Sequence, residues 1–303
     1  MRRCSVIDGK LREDEAGAVW MIVAPDEAER RMLVDKLGID EHTLASALDP
    51  DELSRVEHEP EHTALIVKRP KSYNQVDDFI FKVLSVGMFL FKDKLVVVQA
   101  EDAPLLDAGR VPYRPAAQPV DIMLRILYRS IFHFLEHLRI ITMLSDSLEK
   151  RVNQSFDNRH LVNLFKLEKS LVYYVSAISS NMLALEKLKV GAARMGLRAE
   201  QVEFLDDTAI ENQQCYRQAE ISSNILASLM DARVSIVSNN LNMTMKTLTI
   251  ITLSIMVPTF VVSAFSMNLP IPLPAHPGAF WGVLALAGAS TAGFLAWGRH
   301  KKW

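Results

Sequence analysis

Two groups of residues in this sequence have types and spacings that could do chemistry. The segment HEPEH, His58 to His62, satisfies H-E-x-x-H, in which two histidines one helical turn apart hold zinc and the glutamate acts as general base. That arrangement needs a helix. Pro60 lies between the histidines and forbids a regular helical interior, and a strand-like run begins at Thr63. A polar loop is therefore expected, and a zinc hydrolase would require activity that vanishes in Glu59→Gln.

The second group lies near the end of the chain. Asn239, Asn240 and Asn242 precede an apolar run holding Thr247, Thr249, Thr252, Ser254, Thr259, Ser263 and Ser266, and Asn268 stands where that run stops. A single Ser or Thr in such a run can bond a carbonyl one turn back and means little. Asn242, Met245, Leu248, Thr252, Met256, Thr259 and Ser263, however, recur at three- or four-residue steps and form one stripe of a helix. Weakly polar oxygens alternating there with flexible apolar side chains have two readings: a helix-packing seam, or the wall of a pore. One such helix cannot enclose a pore, whereas several symmetric copies can.

The elements that would position this stripe are legible. Charged residues make up 23% of the chain and hydrophobic residues 49%, with a formal net charge of -2, which gives no global basic footprint for nucleic acid. The average conceals a split, because from Thr247 to Gly298 there is no Asp, Glu, Lys or Arg. Within that interval, the spans at about 247–267 and 280–298 are each long enough to cross a hydrocarbon core of roughly 30 Å. Lys246 precedes the first, Arg299 to Lys302 follow the second, and the connection between them has no Lys or Arg, so both ends are expected in the cytosol. In the second span Ala285, Ala289 and Gly293 form a small-residue ladder suited to close helix packing.

Upstream, Val19–Val23, Thr63–Val67, Phe79–Phe91 and Leu95–Gln99 read as strands, with Lys92–Lys94 as a hairpin turn. Asp26–Ile39 has an acidic start and a glycine near its end, as a helix would. A proline-rich linker is expected at 108–119, then long amphipathic helices broken near Asn153–Asn158 and Lys189–Gly196. The last of these could run from about Ala199 into the membrane, on the order of 100 Å at 1.5 Å per residue. Cys4 and Cys215 indicate neither a disulfide framework nor a thiolate zinc site, and there is no G-x-x-x-x-G-K-[ST] for a nucleotide. The expected fold is an α+β membrane protein: an α/β domain over 1–119, a long-helix funnel and stalk over 120–246, and a transmembrane hairpin over 247–303.

Ser238–Thr252 (SNNLNMTMKTLTIIT), Val257–Phe260 (VPTF) and Ser266–Asn268 (SMN) before a short loop and a second span resemble the CorA family of magnesium (divalent metal cation) transport proteins, whose signature is Gly-Met-Asn. Leu167–Leu188 and Phe204–Gln214 extend the likeness through the C-terminal half. The resemblance implies a homopentamer in the plasma (inner) membrane, termini in the cytoplasm, with the first spans around one axis. It implies that Asn268 forms an amide ring at the outer mouth, shaped by Ser266 and Met267. It also implies that Asn242 meets the ion at the cytosolic end, while Met245, Leu248 and Met256 supply constrictions that gate by dewetting. Mg²⁺ gives up its water reluctantly, so neutral amide oxygens would hold it hydrated. At 100 mV a divalent ion gains about 4.6 kcal/mol from the membrane potential, so no resident cofactor or ATP is expected.

Asp207, beside Asp206, matches an aspartate of cytosolic regulatory cation sites between subunits, and reads equally as a solvated acidic helix face. The departures are Ser266, where the signature has glycine, and a following loop without acidic residues, which leaves Mg²⁺, Co²⁺, Ni²⁺ and Zn²⁺ open as cargo. A zinc transporter on the same scaffold and a non-transporting two-span sensor are the alternatives. Partners would be further copies of the chain, membrane lipid and divalent cations, without nucleic acid.

Overall fold

The computed structural model describes residues 1–7, 10–74, 78–106, 118–154, 158–267 and 278–300. By internal contacts the chain divides into two compact units, Met1–Met230 and Asp231–Trp303, the boundary falling within one helix.

The first unit is built on a seven-stranded sheet. Its strands are β1 (Arg2–Ile7), β2 (Lys10–Glu13), β3 (Val19–Val23), β4 (Arg55–His58), β5 (Thr63–Pro70), β6 (Val83–Leu90) and β7 (Leu95–Gln99), in spatial order β2-β1-β3-β7-β6-β5-β4. β3 and β7 pair in parallel and every other pair is antiparallel. Side-chain alternation sorts the apolar residues onto two faces. Ala64, Ile66, Phe89, Val96 and Val98 form one core with Leu33, Ile39, Leu44 and Ala47, whereas Leu65, Val67, Met88, Leu95 and Val97 face the long helices.

The first face is covered by α1 (Glu27–Arg31), a π-helical turn over Met32–Lys36, and α2 (Glu41–Leu48). Asp26 caps α1, accepting from Glu29 N at 2.7 Å while the Glu29 carboxylate returns to Asp26 N. Asp40 caps α2 through Thr43 N at 2.9 Å. Gly87 lets α2 approach β6, because a β-carbon there would collide with that of Ala47.

The other face is covered by α3 (Pro119–Gln154), α4 (Asn158–Val190) and the first turns of α5 (Ala199–Phe265). Most of the linker expected at 108–119 lies outside the described residues, and α3 opens at Pro119, where proline's missing N–H costs nothing. The starts of α3 and α5 are tied by the buried Asp121 carboxylate. It accepts from Gln118 N at 3.0 Å, Gln201 Nε2 at 2.6 Å and Arg198 Nη2 at 3.2 Å.

Three strands and a helix escaped the sequence reading. β1, β2 and β4 each carry charged residues in place of a continuous apolar run, and α2 has only eight residues. β6 starts at Val83 rather than Phe79, because Asp78 and Phe79 adopt positive φ of 47° and 66° and turn the chain first. In the second unit, α6 (Ala279–His300) follows α5; each has a segment long and apolar enough to cross a membrane.

Candidate functional site

HEPEH is not a helix. His58 ends β4, His62 precedes β5, and Glu59 N bonds the His62 carbonyl at 2.9 Å to close the turn. The two imidazoles lie in different surroundings: His58 Nδ1 is 3.2 Å from Thr63 Oγ1, while His62 stacks on Phe91 with ring centroids 4.9 Å apart. The one-faced zinc pair that the motif requires is not formed.

The polar stripe lies on α5, whose hydroxyls bond within the helix. Thr244, Thr247, Thr249, Thr252, Ser254 and Thr259 each donate to the carbonyl four residues back, at 2.7–3.0 Å. Each hydroxyl proton is thereby committed, and the oxygen keeps lone pairs for other donors. Pro258 lies inside the helix and offers no N–H to the Ser254 carbonyl. Ser266 N closes the end on the carbonyls of Val262 and Ser263, both at 3.1 Å.

Burial divides α5 into two sides. Ile250, Leu253, Ser254, Val257, Pro258 and Val261 are half-buried and share one face. On α6 the covered positions are Val283, Ala287, Ser290, Thr291, Phe294 and Gly298, again at three- and four-residue steps, with Ala287 only 4% exposed. At 100° per residue, the stripe from Asn242 to Ser263 is centred about 155° from the covered face of α5. All seven stripe residues are exposed, Met245 and Met256 at 59% and Leu248 at 64%. The face in question is therefore mostly turned from the seam with α6 and meets its edge only at Thr259 and Ser263. Nor do Ala285, Ala289 and Gly293 pack on α5: they are exposed on the far side of α6, and Ala287 makes the close approach instead.

Ser266 and Met267 are exposed at the end of α5, whereas Asn268 lies outside the described residues. Ser266 borders a hollow of about 650 Å³ between α5 and α6, with Thr259, Ser263, Ala287 and Gly288. Asp207 is exposed on α5, and its neighbour Asp206 pairs with Lys189 Nζ at 2.7 Å. Burial first, then Glu211 and Asp207, holds the Tyr128 hydroxyl above its usual range. Among the described residues no three His, Cys, Asp or Glu side chains gather as metal ligands.

The profile of the family described as CorA-like Mg²⁺ transporter protein matches residues 15–300. The chain belongs to this family. CorA-like proteins are transporters of divalent cations and not enzymes, so HEPEH has no catalytic part to play. A curated relative, the cobalt/magnesium transport protein CorA of Methanocaldococcus jannaschii, is 24% identical over 93% of this chain and 91% of its own length. The complete structure of the CorA magnesium transporter from that organism superposes with a TM-score of 0.79 at 21% identity, covering 98% of this chain and 96% of the other. The full-length CmaX protein gives 0.71 at 15% identity over 99% and 96%. These likenesses establish the α+β fold with its long helix and two apolar C-terminal helices.

The bonds from hydroxyls to carbonyls one turn back were foreseen; what the sequence reading missed is the hollows along the α5–α6 seam. Spacing identifies a helical face but not the second helix that packs against the opposite one.

Proposed function

We propose that this CorA-like chain forms a channel for Mg²⁺, with Co²⁺ or Ni²⁺ as further cargo, through a homopentamer whose first spans surround one axis. The observation that supports it is the exposed stripe: the face of α5 turned away from α6 carries Asn242, Met245, Leu248, Thr252 and Met256, and the exposed Thr259 and Ser263 continue it at the edge of the seam. Five such faces would present rings of acceptor oxygens separated by flexible apolar rings. Hydroxyls whose protons are held by backbone carbonyls offer lone pairs to the water around a cation and no donor to an anion.

In this reading, residues 1–119 form the cytosolic α/β domain, 120–246 the funnel and stalk, and 247–303 the pore hairpin in a plasma (inner) membrane, with both termini cytoplasmic. Asn268 holds the hydrated ion at the outer mouth, with Ser266 and Met267 shaping it. The apolar rings close by dewetting, and Asp207 takes a regulatory Mg²⁺ together with an oxygen from a neighbouring copy. The membrane potential supplies the driving force, about 4.6 kcal/mol for a divalent ion at 100 mV.

The test is Mg²⁺ uptake into liposomes holding the full chain, compared with Asn268→Ala. A pore with an amide mouth predicts lost or altered flux. Unchanged flux in the variant would favour a route that does not pass Asn268. Uptake of Zn²⁺ and Mg²⁺ with and without a proton gradient separates the zinc transporter on the same scaffold.

A further inference from the structure

Two hollows open along the seam between α5 and α6, and they differ in charge. The one at the Ser266 end is lined by uncharged residues. The other, of about 630 Å³, is lined by Ile250, Ala292, Phe294, Leu295 and Ala296 and ends at Arg299. Lys246 stands one helical turn before Ile250, on the same side of α5. Arg299 lies in the last turn of α6, where its cation offsets the partial negative charge of the terminal carbonyls. An apolar trough thus lies within the uncharged span and meets cations where that span ends.

We propose that this trough is a binding site for an anionic phospholipid. One acyl chain would lie along Ile250, Ala292, Phe294 and Ala296, and the headgroup phosphate would be held by Arg299 and Lys246. The occupant follows from the chemistry. An aliphatic chain suits a wall without polar side chains inside a segment of membrane-spanning length. A guanidinium binds phosphate oxygens in a two-pronged geometry, and an ammonium on the facing helix adds a second point charge. No acidic residue occurs between Thr247 and Gly298 to compete for either cation. A zwitterionic lipid would present its own choline cation to the same pair, so the site discriminates by headgroup charge. The lipid would bridge the two helices at one end of the hairpin while leaving the stripe from Asn242 to Ser263 uncovered.

Native mass spectrometry of the full chain, released from detergent containing equimolar phosphatidylglycerol and phosphatidylcholine, reads the site without reference to transport. Wild type should retain phosphatidylglycerol in preference by on the order of tenfold or more, and Lys246→Gln with Arg299→Gln should bring the two lipids near parity, at about fivefold per charge. Ala296→Phe, which fills the trough, should lower retention of both while the protein keeps its native oligomer mass. Equal retention by wild type, or an unchanged preference in the charge variant, overturns the proposal. So does displacement of the lipid by water-soluble glycerol phosphate, since the apolar wall would then contribute nothing. Spontaneous disulfide linkage of Ala296→Cys between copies, with no lipid retained, would assign the trough to a second chain and overturn it equally.

Discussion

Asn181 on α4 completes the hydrogen bonding of Lys68 on β5: its Oδ1 accepts from Lys68 N, and its Nδ2 donates to Lys68 O, each at 2.8 Å. β4 pairs with β5 only as far as Ile66, and beyond that point the carboxamide takes the place of a neighbouring strand. Ser54 Oγ donates to the same Oδ1 at 2.8 Å, and all three residues are buried. Asn181→Leu would leave a backbone donor, a backbone acceptor and a hydroxyl without partners, a loss of about 3 kcal/mol or more. Urea unfolding of the detergent-solubilised chain measures it, and a midpoint equal to wild type would contradict the assignment.

His58 and Gly191 make a second contact of this kind, between the β4–β5 hairpin and the end of α4. A β-carbon on Gly191 would collide with the His58 imidazole, and the His58 backbone carbonyl accepts from Arg194 Nη2 at 3.4 Å. Gly191→Ala should destabilise by about 1–3 kcal/mol, and His58→Ala should relieve most of that in the double variant. Additive effects in a double-mutant cycle would show that the two do not touch.

The pH dependence centres on His137. Its imidazole is buried between α3 and α4, with Nδ1 2.7 Å from Tyr174 Oη, Phe81 at its edge and His133 one turn away. Burial, then the Arg69 cation, lowers its pKa from 6.5 to about 4. Between those values the unfolded chain binds a proton that the folded chain does not, so stability falls as pH drops from 6.5 and the loss is complete below about 4. The full difference is on the order of 3 kcal/mol. His58 and His62, also lowered by burial, add slope of the same sign. His137→Phe should flatten the profile in that window, and an unchanged slope would remove His137 as its main source.

Much of this was legible in the chain. Val19–Val23 and Leu95–Gln99 become strands with the expected bounds, because a β-branched run flanked by turns has little alternative. α4 ends at Val190, where a glycine-containing stretch interrupts the periodicity. β4 was not legible, since Arg55, Val56, Glu57 and His58 show no apolar alternation, and it becomes a strand only through pairing with β5. Of the candidate site, the stripe could be read from spacing, whereas the choice between seam and free face required seeing α6 on the opposite side. The small-residue ladder shows the same limit: Ala285, Ala289 and Gly293 mark a face that permits close approach without saying what approaches it, and within this chain that face is exposed.

The committed hydroxyls of Thr252 and Thr259 carry a prediction about selectivity. Thr→Val at either position removes an acceptor oxygen while keeping shape, and should lower Mg²⁺ flux several-fold, whereas Thr→Ser, which retains the bond to the i−4 carbonyl, should keep it. Liposome flux assays distinguish these outcomes, and equal flux in all variants would mean that the ion's water shell never meets these oxygens.

The measurement that bears most directly on the central claim is modification of single cysteines on α5 by a membrane-impermeant cationic thiol reagent during Mg²⁺ flux. The native thiols are suited to this background, since Cys4 and Cys215 are both buried and burial pushes Cys215 up to about 12. A water-filled axis bounded by the stripe predicts that Thr252→Cys and Thr259→Cys react, lose flux on reaction, and are protected by Mg²⁺, while Leu253→Cys and Val257→Cys on the α6-covered side do not react. Reaction confined to the covered side, or modification of Thr252→Cys that leaves flux untouched, would contradict it.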